Sequence, residues 1–126
     1  MRFISAGTSK KGHYSSGVET GGTLYISGQL PVDPVSGSLP EGGIEAQAGA
    51  ALANLERVLK AAGLDRTNVV LCRVYISDSA YWDAVNGVYA EFFGSHRPAR
   101  VIVPVGPLHY GALVEIEAVA ERGEAQ

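Results

Sequence analysis

A short extended stretch near the end of the chain decides how the fold is interpreted. Residues 97–106 read Arg97-Pro98-Ala99-Arg100-Val101-Ile102-Val103-Pro104-Val105-Gly106. The β-branched run predicts a strand, and strand alternation puts Arg100 on the same face as Ile102. In a cleft, the fixed fork of N–H donors on Arg100 suits a small carboxylate held at two points; in bulk water, the same residue is only solubilising. We predict the cleft.

A strand and a helix precede this stretch. Asn68 to Ser77 is apolar at nearly every position, which predicts a central strand covered on both faces. Cys72 within it suits a buried position better than a nucleophile, because buried thiols are usually inert. Ser79 to Phe93 predicts a helix, with capping side chains in Ser77-Asp78-Ser79.

The predicted second helix carries an aromatic stripe, which is more typical of a core than of a cofactor site. The stripe consists of Trp82, Val85, Tyr89 and Phe92. Asn86 is a polar exception beside it and has two interpretations, a loop cap or a ligand contact.

The last predicted strand, Ala112 to Ala120, alternates strictly. Val114 and its even-numbered neighbours face one way, whereas Glu115 and Glu117 face the other. If this strand pairs with residues 101–105, one of these glutamates comes near Arg100. The pair is then either a cross-strand salt bridge on a solvent face or an acid–base carboxylate beside an anion-binding arginine. His109 and Tyr110, in the connection, are either exposed or pocket-lining.

The first half of the chain predicts strands followed by a helix. Residues 1–12 suggest a short edge strand and a loop, and Gly21-Gly22 predicts a hairpin between residues 14–19 and residues 23–30. Gly28, at the end of the second hairpin strand, marks either a bulge or a close approach of the backbone to a ligand. Ile44 to Ala62 predicts a helix, and its apolar stripe is Ala48, Leu52, Leu55, Leu59 and Ala62.

This order of elements predicts an α+β fold with two helices on one face of a mixed sheet. The other face then needs a partner, most simply further copies of the chain. The residues expected on that face are Leu24, Ile26, Val70, Val74 and Val101.

Composition excludes several classes of function. The chain has 126 residues, of which 46% are hydrophobic, and a net charge of −3, so we expect one domain spanning residues 1–126 and no nucleic-acid partner. No apolar run suggests a signal peptide or a membrane span, so we expect a soluble, cytoplasmic protein. One cysteine and three histidines without metal-type spacing predict no metal site.

Six segments together are similar to the RidA (YjgF) family. They are Tyr25–Pro34, Gly43–Gln47, Asn54–Gly63, Val85–Phe93, Pro98–Arg100 and Val114–Ala120. The resemblance runs in order from about Tyr14 to Ala120. It implies a chorismate-mutase-like fold with a six-stranded sheet, a homotrimer whose sheets form a central barrel, and ligand clefts between subunits. It also implies hydrolysis of small carboxylate-bearing enamines and imines, such as 2-iminobutanoate and 2-iminopropanoate, to 2-oxo acids and ammonia, without a cofactor.

The resemblance also assigns site residues, each matched by motif. It implies that Arg100 binds the substrate carboxylate, that Glu115 positions water, and that Tyr14 acts near the cleft. The remaining substrate-binding positions implied are Ser27, Gly28, Asn86 and the backbone N–H of Ile102, which stands where the family often has cysteine.

Some positions depart from the family pattern, and these leave alternatives open. The Gly-Pro-Tyr of the family is Gly12-His13-Tyr14 here, and His109 and Tyr110 stand in an unexpected loop. In one alternative, the substrate is an acid that is larger than iminopropanoate or different from it. The chain would then be a related enzyme that acts on an aminoacrylate or an aminomuconate. Another alternative is a binding or regulatory module, including the endoribonuclease role attached to some relatives.

Overall fold

The computed structural model describes residues 1–6 and 12–123, so the loop predicted within residues 1–12 lies mainly outside them. The strands are β1 (Arg2–Ile4), β2 (Gly17–Thr20), β3 (Thr23–Gln29), β4 (Val69–Ile76), β5 (Ala99–Pro104) and β6 (Val114–Glu121). The helices are α1 (Gly43–Ala61) and α2 (Trp82–Phe93). Short 3₁₀ turns cover Arg66–Asn68, Ser79–Tyr81 and His109–Gly111. The predicted order of strands and helices is confirmed.

The strands form one mixed sheet in the order β1-β2-β3-β6-β4-β5. β4 and β5 run parallel, and the other neighbours are antiparallel. The suggested pairing of β6 with β5 is wrong. The α2 crossover returns β5 beside β4, so β5 becomes an edge strand. β6 is buried along one complete face and lies between β3 and β4 instead.

The predicted helix over residues 44–62 is confirmed as α1. Every residue of its predicted stripe is buried, from Ala48 to Ala62. The stripe packs with the inward face of the sheet in one core, which also contains Leu24, Val74 and Ile116. The Gly21-Gly22 hairpin is confirmed too, since both glycines have the positive φ of a tight hairpin turn, 57° and 83°.

The second helix begins later and faces the core differently from the prediction. Asp78 caps a 3₁₀ turn, its Oδ1 accepting a hydrogen bond from the N–H of Ala80 at 2.8 Å, and α2 follows. Phe93 is buried in the core, whereas Phe92 is only partly buried and Trp82 is 40% exposed. The predicted stripe was wrong at Trp82, the first residue of α2, whereas Phe92 packs against the core and stays partly exposed.

The sheet face opposite the helices is open in the single chain. Val70 and Val101 are exposed there, as expected, at 44% and 42%. Leu24, Ile26 and Val74 were wrongly placed on this face and are buried against the helices. A register shift after Val69 puts Val70 on the face opposite to Val74, although both have even numbers. β4 is therefore covered on one face only, not on both.

Candidate functional site

Arg100 lies on β5 and points to the helix side of the sheet, where α2 fixes it. Its Nη1 donates a hydrogen bond of 2.8 Å to Oδ1 of Asn86. Its guanidinium carbon lies 4.9 Å from the ring centre of Tyr89 and 5.4 Å from that of Trp82. An arginine held by an amide and two aromatic rings has one preferred orientation. Asn86 therefore orients the arginine, which neither of its two earlier interpretations foresaw.

The charge of Arg100 is not balanced within the described chain. Arg2, Arg66 and Arg122 form ion pairs with Glu19 or Glu56, and Arg73 reaches Glu117 at 3.9 Å. Across residues 1–6 and 12–123, no carboxylate lies within 4.0 Å of the Arg100 guanidinium. Arg100 is half-buried, unlike the exposed Arg57 and Arg97, which also form no ion pair there. A half-buried cation of this kind suits an anionic ligand.

A cleft of about 440 Å³ opens beside this arginine. It is lined by Asn86, Tyr89, Ala90, Phe93, Gly94, His96, Arg97, Pro98 and Arg100. Sequence reasoning assigned the α2 aromatics to the core and missed that Tyr89 and Trp82 hold the arginine. Their spacing of seven residues, with Asn86 between them, is the signal that places all three side chains along one helix face.

Gly28 and Glu115 form a second group of predicted site residues. The β3–β6 register shifts between Ile26 and Gln29, so Gly28 lies in an irregularity. A Cβ placed on Gly28 would lie 2.5 Å from Oε2 of Glu115. The bulge interpretation of this glycine is confirmed. Its missing Cβ also makes room for the carboxylate of Glu115, and an approach to a ligand stays a prediction.

The environment of Glu115 favours its neutral form more than water does. Burial raises the pKa of the Glu115 carboxyl above its usual range, and the negative charge of Glu117 raises it further, while the His109 side chain acts in the opposite direction. Glu117 itself accepts a hydrogen bond from the hydroxyl of Tyr75. A carboxyl with a raised pKa gains and loses a proton more readily near neutral pH, as proton transfer requires.

Tyr14 lies in the loop before β2 and borders a second cleft, of about 660 Å³. Gly28, His109 and Tyr110 line the same cleft, together with residues from the 29–37 loop and from α1. Gly12 leaves room for the ring of Tyr14, since a Cβ on Gly12 would lie 2.5 Å from its Cε1. His109 and Tyr110 are exposed and also border this cleft, so both interpretations of these residues apply.

Ser27 and Ile102 occupy different settings. The hydroxyl of Ser27 donates a 2.6 Å hydrogen bond to the carbonyl of Ser15, which ties the loop carrying Tyr14 to β3. Directly after β5, the N–H of Val105 donates a hydrogen bond to the carbonyl of Ile76. Alternate N–H groups of a strand point the same way, so the N–H of Ile102 points from the edge of the sheet, away from β4.

Arg100 and Glu115 do not meet within one chain. Arg100 pairs in register with Cys72, whose side chain is buried beneath the helices. Glu115 pairs with Tyr75, on the opposite face of the sheet. The expectation that Glu115 or Glu117 would come near Arg100 by strand pairing is therefore wrong, because it depended on β5 and β6 being neighbours. Glu117 instead faces Arg73.

The described part of the chain holds neither a membrane-spanning helix nor a cluster of metal ligands. No helix in residues 1–6 and 12–123 is long and apolar enough to cross a membrane. In the same part of the chain, no three His, Cys, Asp or Glu side chains cluster as metal ligands. Cys72 is fully buried, and burial raises the pKa of its thiol to about 11, so it is a core residue as predicted.

Comparison with known proteins adds to this geometry. The family model described as Endoribonuclease L-PSP matches residues 6–122. A 2-iminobutanoate/2-iminopropanoate deaminase of Capra hircus is 48% identical over 112 residues, which are 89% of this chain and 82% of the relative. The protein of the same name from Homo sapiens is 46% identical over the same shares of both chains.

Solved structures agree in fold over almost the whole chain. RidA from the Antarctic bacterium Psychrobacter sp. PAMC 21119 superposes with a TM-score of 0.90 at 34% identity, covering 96% of this chain and 99% of that one. E. coli TdcF with bound serine superposes with a TM-score of 0.91 at 33% identity, covering 98% of this chain and 100% of that one.

Proposed function

This chain belongs to the endoribonuclease L-PSP family, and on that premise we propose that it hydrolyses imines and enamines of small 2-amino acids such as 2-iminobutanoate and 2-iminopropanoate. Each turnover consumes one water and releases a 2-oxo acid and ammonia. The resemblance to RidA proteins further suggests that the protein removes reactive metabolites in the cytoplasm.

The observation that carries this proposal is the half-buried Arg100 without a carboxylate partner in the described chain. All the proposed substrates carry a carboxylate beside the imine carbon, and a guanidinium binds such a group through two parallel hydrogen bonds. Asn86 occupies one side of the guanidinium and leaves the rest available. The E. coli TdcF structure holds serine, which also carries a carboxylate.

The reaction needs little beyond positioning. The carbon of a protonated imine is already electrophilic. Binding the substrate carboxylate and positioning one water therefore supply most of the rate enhancement. Glu115 accepts a proton from that water as its oxygen bonds to the imine carbon. Glu115 returns that proton to the nitrogen of the resulting aminoalcohol. The carbon–nitrogen bond then breaks as the hydroxyl gives its proton to Glu115, and ammonia and the 2-oxo acid leave. Ser27 and Gly28 form the strand end near the reacting carbon, and Tyr14 borders the cleft.

We assign the complete site to a cleft between two copies of the chain. Arg100 and Glu115 point to opposite faces of their own sheet, so one substrate contacts both only when the second residue comes from a neighbour. The exposed edge of β5, with the outward N–H of Ile102, lies on the arginine side of such a cleft. The homotrimer implied by the resemblance provides three such clefts.

Replacement of Arg100 tests the carboxylate assignment. We expect Arg100→Lys to keep the charge and lose the two-point geometry, lowering kcat/KM on the order of 100-fold. An amino-acid oxidase generates the imine in place, and 2-oxo acid formation is timed with and without the protein. Arg2→Lys, on an exposed arginine that lines neither cleft, is the matched control. Full activity of Arg100→Lys would falsify the assignment.

Mixed oligomers test whether the cleft is shared. Arg100→Ala and Glu115→Ala are each expected to be inactive alone. When the two variants are unfolded and refolded together, some clefts receive an intact Arg100 from one chain and an intact Glu115 from the other, and activity returns in part. If the mixture remains as inactive as its components, both residues act from the same chain and the shared cleft is wrong.

A further inference from the structure

In the single chain, the cleft that contains Gly28, next to Glu115, has a volume of about 660 Å³, more than a small imino acid needs. Its volume lies in the range of pockets that enclose ligands of drug size, roughly 300–1,000 Å³. Three of its lining residues are ring-bearing and exposed: Tyr14 at 55%, Tyr110 at 61%, and His109. Exposed rings around a concave surface are suited to cover another flat apolar group.

The turn that carries His109 and Tyr110 has a strained backbone conformation. Tyr110 has a φ of 61°, the one positive φ of a non-glycine residue in the described chain. Gly111 follows with a φ of 72°, and the turn is closed by hydrogen bonds from the N–H of Gly111 to Leu108 and from that of Ala112 to His109. Residues with a Cβ rarely adopt this conformation, and such outliers concentrate at ligand sites.

The ring pair also lies near the chemistry. The rings of His109 and Tyr110 stack with centres 3.9 Å apart and a tilt of 43°. The His109 side chain is close enough to Glu115 to lower the pKa of that carboxyl. Gly28, against which the Glu115 carboxylate packs, lines the same cleft as both rings. A substrate whose imine carbon lies at Glu115 therefore directs its side chain toward the rings of His109 and Tyr110.

We propose that the His109–Tyr110 turn, facing Tyr14, is the side-chain specificity site, and that it selects 2-imino acids with an aromatic side chain over 2-iminopropanoate. This inference rests on the proposed imine hydrolysis and names its preferred substrate class. The aromatic side chain stacks on Tyr110 and fills space that a methyl group leaves empty. The reaction is unchanged: one water adds, ammonia leaves, and a 3-aryl-2-oxopropanoate forms.

Variants of Tyr110 distinguish the effect of its ring from the effect of its strained backbone. Tyr110→Phe keeps the ring, whereas Tyr110→Asn removes it and tolerates a positive φ. An amino-acid oxidase generates the imines of phenylalanine and alanine, and kcat/KM is measured for each. We expect the intact chain and Tyr110→Phe to favour the aromatic imine. We expect Tyr110→Asn to lose about tenfold on the aromatic imine and much less on the alanine-derived one.

The outcomes distinguish the two proposals. If the chain hydrolyses the alanine-derived imine but shows no aromatic preference, or if Tyr110→Asn affects both substrates equally, the specificity site is wrong and imine hydrolysis stands. Binding of 2-oxo-3-phenylpropanoate against pyruvate, followed by calorimetry, gives a readout independent of turnover. Ring-dependent binding without hydrolysis of either imine would support the specificity site and overturn the proposed reaction.

Discussion

At the level of single residues, Gly28 explains how a carboxylate is held at a strand end. A Cβ there would overlap with Oε2 of Glu115, the mobile end of a side chain, and not with backbone. The φ of Gly28 is not positive, so alanine is compatible with the local backbone. The glycine is thus required for the placement of Glu115 more than for folding.

We therefore expect Gly28→Ala to displace the Glu115 carboxylate, lowering kcat about tenfold or more with little change in the melting temperature. Imine turnover and thermal unfolding are measured on the same preparation. Gly49→Ala on α1, where a Cβ would meet nothing within 4 Å, is the matched control. A large loss of stability with unchanged kcat would assign Gly28 a purely structural role.

Glu117 affects Glu115 through its charge. Because Glu117 raises the pKa of the Glu115 carboxyl, Glu117→Gln should lower that pKa. In the proposed reaction Glu115 acts as a carboxylate, so activity should rise as pH increases through its pKa, and the acidic limb of the kcat/KM profile should move to lower pH in Glu117→Gln. Glu41→Gln, in an exposed loop, should leave the limb in place. A limb that does not move in Glu117→Gln would show that Glu115 does not control it.

At the level of elements, one carboxylate ties the N-terminal strands to the end of β6. Glu19 on β2 accepts hydrogen bonds from Arg2 at 2.8 Å and from Nε and Nη2 of Arg122 at 2.8 and 2.9 Å. Both arginines also donate to the carbonyl of Ala62, just after α1. This network satisfies a helix-end carbonyl and lies far along the sheet from Arg100.

The network predicts a pH dependence of stability. Hydrogen bonding to Arg122 and the nearby positive charges lower the pKa of Glu19 from 4.5 to about 2. A lowered carboxyl pKa contributes stability that is present above pH 4.5 and is lost as pH falls toward 2. Glu19→Gln should therefore lower the melting temperature at pH 7 and weaken its decline between these pH values. An acid profile as steep as that of the unchanged chain would contradict this role.

At the level of the whole molecule, the open face of the sheet carries an apolar row. Strand register places Phe3, Val18, Tyr25, Val119 and Leu71 side by side across five strands. Phe3 and Tyr25 are 69% and 52% exposed in the single chain. An apolar row of this length favours burial against further copies, which agrees with the proposed trimer.

We expect Val119→Asp to place a charge in the middle of this row and to yield a folded monomer without imine turnover, because each proposed cleft needs two chains. Sedimentation velocity gives the mass, and circular dichroism checks the fold. Val35→Asp, at a loop position 95% exposed, should remain oligomeric and active. A monomeric but fully active Val119→Asp would mean that one chain suffices.

Local sequence pattern determined much of the fold. The alternation of β6, the three- and four-residue spacing in α1 and the Gly21-Gly22 turn each depend on contacts between residues close in the chain. The sequence therefore determined the order of elements, and the side chain of Arg100 fell on the face predicted for it, together with Ile102. The family motifs also singled out Arg100, Glu115 and Gly28 as site residues.

Only the tertiary structure decided which of these residues meet. The insertion of β6 between β3 and β4 separates Arg100 from Glu115, and a bulge at residue 70 reverses the faces expected for part of β4. The structure also brings Trp82 and Tyr89 to Arg100, and His109 and Tyr110 to the cleft of Tyr14. The physical reason is that strand order and register depend on contacts between residues far apart in the chain, and local periodicity carries no information about those partners.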